Sequence, residues 1–225
     1  MPGAPDILTF LFVVAGWILA LIAHEFGHAF VAWKAGDHTV ETKGYLTLDP
    51  FKYADLGTSL VIPLIALALG GIGFPGGAVY LREDLMRSRL WRSASSLAGP
   101  AGTLAAFVLL AALAQLWLGL SGMQGIALVS GLAFLAFLQA TALILNLLPV
   151  PGLDGYGVFR PFLPTAVRQR LRKFEPLAMM GLLLALFLIP GVAQALIGTA
   201  ADLTQLAGVP GIAIASGFDA FRFWD

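Results

Sequence analysis

Residues 7–33 read ILTFLFVVAGWILALIAHEFGHAFVAW, and this stretch decides the fold. Ile7 to Ala23 carry no charge, and Ala29 to Trp33 resume the apolar run. A hydrocarbon core takes about 20 apolar residues of helix, so the stretch reads as a membrane span. Its interruption, His24-Glu25-Phe26-Gly27-His28, is the informative part. A carboxylate at bilayer depth costs roughly 2.5–3.5 kcal/mol on insertion scales, and such groups are usually paired or functional. Two imidazoles four positions apart project from one helix face and can bind one Zn²⁺. The glutamate beside the first can then serve as base toward an activated water. The bland alternative is a polar cluster satisfied within a helix bundle.

Composition supports the membrane reading. The chain has 225 residues, of which 59% are hydrophobic and 12% charged, with a mean hydropathy of +0.87. Soluble domains average about 25% charged residues. The fold class expected is an all-α integral membrane protein of four to five transmembrane helices, with a re-entrant loop or short β-hairpin near the active site. A single polytopic domain over residues 1–225 is expected. Net charge is zero, so nothing global suggests nucleic acid, and the lack of cysteine excludes thiol catalysis and a disulfide scaffold. Met1 to Asp6 lack the basic region and cleavage site of a secretory signal, so the first span is expected to be retained.

Four segments, approximately 7–33, 96–118, 126–148 and 177–203, are long enough to cross. A fifth apolar stretch, residues 60–79, is broken by Pro63, Gly70, Gly71, Gly73, Pro75, Gly76 and Gly77. If it enters and leaves on one side, twelve of the thirteen basic residues share one face; a full crossing splits them nine against four. The positive-inside rule favours the re-entrant path, a cytoplasmic basic face and an external N-terminus. The 126–148 helix then ends on the same side as the His pair and runs into Asn146-Leu147-Leu148-Pro149-Val150-Pro151-Gly152-Leu153-Asp154-Gly155.

Catalytic zinc generally takes three protein ligands. Beyond His24 and His28, the candidates for the third are the remaining acids and His38. Asp154 is the best placed, because Pro149 and Pro151 stop the helix and the flanking glycines let the backbone come close. An Asp-Gly pair is otherwise an ordinary turn.

Three motifs in order, His24-Glu25-Phe26-Gly27-His28, Ala98-Gly99-Pro100 and the Asn146 to Gly155 stretch, resemble the site-2 protease family of intramembrane zinc metalloproteases. Gly36-Asp37 with Gly44-Tyr45-Leu46-Thr47-Leu48-Asp49-Pro50 resembles its short bacterial branch, which lacks PDZ and CBS domains. The resemblance covers roughly residues 15–160. It implies one Zn²⁺ per chain held by His24, His28 and Asp154, with Glu25 as catalytic base and Asn146 contacting substrate or the developing oxyanion. It implies a transmembrane protein or peptide as substrate, a lipid bilayer as environment, and a prokaryotic cell membrane with the active site toward the cytoplasm. Phe74-Pro75-Gly76-Gly77-Ala78-Val79-Tyr80 departs from the sequence such relatives tend to carry there, so substrate contacts are not carried over.

Smaller signals complete the reading. Gln139, one heptad before Asn146, is expected to bond between helices, and His38 to be a polar loop residue. The small residues from Ser95 to Ala106 suit close helix packing, and also passage beside a metal site. Residues 164–175 read as a short interfacial helix, and Phe218, Phe221, Phe223 and Trp224 as an interfacial anchor. Ala78 to Leu81 form a candidate edge strand beside the metal, or part of a plugging hairpin. The competing functions are a non-enzymatic zinc carrier or sensor, which has no need of Glu25, and a serine protease. For the latter, Ser130-Gly131 lacks the preceding glycine and a later His.

Overall fold

The computed structural model describes residues 7–53, 79–121 and 126–222. Its helices are α1 (Ile7–Ala35), α2 (Thr39–Thr42), α3 (Pro50–Tyr53), α4 (Arg89–Ser121) and α5 (Ile126–Asn146). They continue as α6 (Asp154–Phe159), α7 (Thr165–Leu188), α8 (Pro190–Leu206) and α9 (Gly211–Phe221), with 3-10 turns at Glu83–Leu85 and Arg160–Phe162. No strand occurs among the described residues. The expected re-entrant stretch, residues 60–78, lies outside them. Its described end, Val79 to Arg82, is irregular backbone, so the expected edge strand is not formed there.

Three helices, α1, α4 and α5, are long and apolar enough to cross a membrane. Helix α5 is apolar on every side and is the most enclosed of them. Val129, Ala133, Phe134, Leu135, Ala136, Leu138 and Ala140 are buried among α1, α4, α8 and α9. An all-round apolar helix is stable only in such a position or in lipid. Exposed apolar side chains lie on its neighbours, with Leu104, Val108, Leu109 and Leu116 exposed on α4.

Two spans differ from expectation. The crossing expected at 177–203 is two helices that meet at 88° around Ile189. Pro190 supplies no N–H, and its ring forces the preceding residue out of helical geometry, so α7 stops and α8 begins. The short interfacial helix expected at 164–175 is not separate: it is the charged beginning of α7, which passes Pro176 unbroken.

Both ends of the bundle are closed by side chains. At one end Phe221 stacks on Phe10, with ring centroids 5.2 Å apart, and packs on Phe134. Phe221 is a core residue rather than an interfacial anchor; Phe223 and Trp224 lie outside the described residues. At the other end the turn after α1 holds the segment that precedes α4. Gly36, at φ +116°, takes a left-handed conformation that a side chain resists. Asp37, fully buried, then accepts the Thr39 N–H on one oxygen and the Arg82 N–H, at 2.7 Å, on the other. Arg87 N–H donates to the Ala35 carbonyl, Lys43 Nζ donates to the Tyr80 carbonyl, and Lys52 packs on Gly44. The chain before and after residues 54–78 is therefore anchored to the same end of α1.

Candidate metal centre

Helix periodicity brings the first two ligands together. His24 and His28 lie one turn apart on the inward face of α1, both buried, with their Nε2 atoms 3.1 Å apart. Asp154 comes from a different part of the chain. After Asn146 the backbone turns through the two prolines, and α6 begins at Asp154 and packs on α4. Its Oδ2 lies 3.2 Å from His24 Nε2, and its Oδ1 lies 3.2 Å from His28 Nε2. One ligand atom from each of the three residues lies within 4.8 Å of the others, so the group could hold one metal ion. Tetrahedral zinc with bonds of about 2.0 Å separates two ligand atoms by about 3.3 Å, so both the donor set and the spacing fit it.

Helix α4 orients the imidazoles. His28 Nδ1–H donates to the Ser95 carbonyl at 2.7 Å, and Ser95 Oγ–H donates to the His28 carbonyl. His24 Nδ1 lies 2.8 Å from Thr103 Oγ1. A proton on each Nδ1 leaves both Nε2 lone pairs facing the site, the usual outer support of a histidine ligand. Gly99 lies on the same α4 face, four residues from each support. A Cβ there would stand 2.1 Å from His28 Nε2 and 2.7 Å from His24 Nε2. Only glycine lets this helix pass so close. The small-residue stretch thus serves the metal centre as well as packing, and the support from Ser95 and Thr103 was not anticipated. The i, i+4, i+8 spacing of Ser95, Gly99 and Thr103 was its available signal.

Glu25 is buried beside the pair, and the Val79 N–H donates to its Oε2 at 3.2 Å. Asn146, also buried, ends α5. The carbonyl of the next residue, Leu147, stands against Gly155, close enough that a Cβ there would lie 2.2 Å from it. His38 is exposed, pairs with Glu41 at 3.8 Å and meets the Trp33 ring edge-on, consistent with a loop residue outside the centre. Gln139 differs from expectation: its Nε2 is buried without a hydrogen-bond acceptor among the described residues.

The chain is 45% identical over 218 residues to the Mycolicibacterium smegmatis protein named "Putative zinc metalloprotease Rip2", covering 96% of this chain and 81% of that one. It is 46% identical over 215 residues to the Mycobacterium tuberculosis protein of the same name, again covering 96% and 81%. The Bacillus subtilis protein "Putative zinc metalloprotease YwhC" is 30% identical over 188 residues, 80% of this chain and 81% of that one. This chain belongs to the site-2 protease family of zinc metalloproteases. No family model matches it, and no solved structure matches it. In this family member the His-Glu-x-x-His helix, the Ala-Gly-Pro helix and the Asp-Gly turn, far apart in sequence, are neighbours around one site.

Proposed function

We propose that this protein is a zinc endopeptidase that hydrolyses peptide bonds within or beside transmembrane segments of other membrane proteins. The observation that carries the reading is the grouping of His24 and His28, on a membrane-length helix, with Asp154 from a separate short helix, and a buried carboxylate, Glu25, next to the pair. One zinc per chain is held by these three residues. Bound zinc supplies a Lewis acid that brings the pKa of water to about 7 and polarises a carbonyl. Glu25 receives the proton released by the attacking water and returns it to the departing amine. Its bond from Val79 N–H keeps Oε2 oriented while the other oxygen stays available for that transfer. Asn146, at the broken end of α5, donates its amide to the substrate carbonyl as negative charge develops there. A helical substrate must unwind locally first, because its carbonyls are engaged in its own helix.

The whole chain, residues 1–225, works as one polytopic domain. Lys34, Arg82, Arg87 and Arg160 belong to three separate basic clusters, and their contacts put all three at the end of α1 that carries the site. That distribution supports a cytoplasmic active site. The test is a Glu25→Gln variant, expected to keep about one zinc per chain and to lose cleavage of a membrane-helix substrate. Cleavage at the wild-type rate by verified Glu25→Gln protein would refute the mechanism.

A further inference from the structure

A polar cavity, outside the metal centre, lies where the start of α7 meets the turns at Glu83–Leu85 and Arg160–Phe162. It encloses about 270 Å³ and is lined by Glu83, Arg160, Thr165, Arg168, Gln169, Arg172 and Glu175. Thr165, Arg168, Arg172 and Glu175 recur at helical spacing, so one face of α7 supplies most of the wall. Three guanidiniums and two carboxylates leave the lining with one net positive charge.

The positive charges are only partly answered from within. Arg160 pairs with Glu83. Neither Arg168 nor Arg172 makes an ion pair among the described residues, and the Arg168 Nε–H is buried without an acceptor. Burial holds the Arg160 pKa below the ordinary guanidinium value; Glu175 opposes this, while the charges of Arg172 and Arg168 add to it. An anion with several acceptor oxygens relieves both deficits, because guanidinium groups bind phosphate oxygens in pairs.

The surroundings indicate what carries the phosphate. The first turns of α7 are charged, and from Leu177 the helix is apolar. The cavity therefore sits at the level where water gives way to hydrocarbon. Phe159 and Phe162, on either side of Arg160 in the chain, are exposed and offer apolar surface suited to acyl chains. We propose that this cavity binds the phosphate headgroup of an anionic phospholipid, with Arg168 and Arg172 as its main contacts.

The test compares lipid binding to the full-length protein in detergent by native mass spectrometry, using phosphatidylglycerol and phosphatidylcholine. The double variant Arg168→Gln/Arg172→Gln is set beside Arg170→Gln/Lys173→Gln, which removes the same charge from α7 outside the cavity. Phosphatidylglycerol affinity is expected to fall by about tenfold or more in the first pair and to change less than about twofold in the second. Phosphatidylcholine should bind weakly to all three proteins. Gln169→Trp, which fills the cavity and keeps every charge, should also lose phosphatidylglycerol, and it keeps the test decisive if the first pair folds poorly. Equal losses in the two charge-matched pairs would assign binding to diffuse surface charge and overturn the proposal. Unchanged binding in Gln169→Trp would overturn it as well. Inorganic phosphate should not displace the lipid; displacement at equal concentration would make the site one for free phosphate and overturn the lipid assignment.

Discussion

Gly99→Ala is the sharpest single perturbation of the metal centre, because it adds one methyl group where two ligands converge. The new Cβ would lie 2.1 Å from His28 Nε2, while ordinary contact begins near 3.4 Å, so about 1.3 Å must be recovered. The methyl cannot retreat, since α4 is held to α1 by the Ser95 and Thr103 contacts with the same histidines. The imidazole has to swing, breaking its bond to the Ser95 carbonyl, or the helices have to part. Loss of an outer-shell partner alone costs 10–100-fold in metal affinity, and a misplacement of about 1 Å costs about 100-fold in rate. Zinc affinity is expected to fall by about 100-fold or more, with cleavage lost in parallel. Gly119→Ala on the same helix is the control: a Cβ there meets nothing within 4 Å. It should leave zinc and cleavage unchanged and alter stability by no more than about 1 kcal/mol. The assay is zinc titration against a chromophoric chelator, with helicity checked by circular dichroism. Wild-type zinc affinity in folded Gly99→Ala protein would refute the close approach of α4 to the ligands.

Four further outcomes are expected. Asp154→Ala should weaken zinc binding as well as cleavage, and unchanged zinc affinity would show that another residue is the third ligand. Thr103→Val, which keeps the shape but removes the hydroxyl beside His24, should lower zinc affinity about 10–100-fold; an unchanged chelator titration would deny it an orienting role. Asn146→Ala should slow turnover with zinc content kept, and metal loss there would reassign it from substrate to ligand support. Cysteines introduced near Arg89 and Arg170 should label from the cytoplasm and one near Asp219 from outside, on a chain that has no cysteine of its own; external labelling near Arg89 would overturn the orientation.

The sequence alone determined the membrane class, the helix of residues 7–33 and the pairing of His24 with His28. Each is local: an apolar run longer than a bilayer is thick, and a four-residue spacing that one helical turn converts into proximity. Asp154 was reachable because Pro149 and Pro151 mark where α5 must stop, although its distance from the histidines was not. The bend at Ile189 is hidden in the sequence because the average apolarity of 177–203 masks Pro190. The aromatic residues near the C-terminus misled for a similar reason: a phenylalanine suits lipid and core equally, and only Phe10 and Phe134, far away in the chain, decide that Phe221 is core. The tertiary structure likewise decided what Gly99, Thr103 and Asp37 do. A glycine that lets a helix reach a metal ligand, a hydroxyl that orients an imidazole and a carboxylate that pins Arg82 all act on partners dozens of residues away. Periodicity reports which face of a helix a residue occupies. Which element covers that face is settled only when the helices pack.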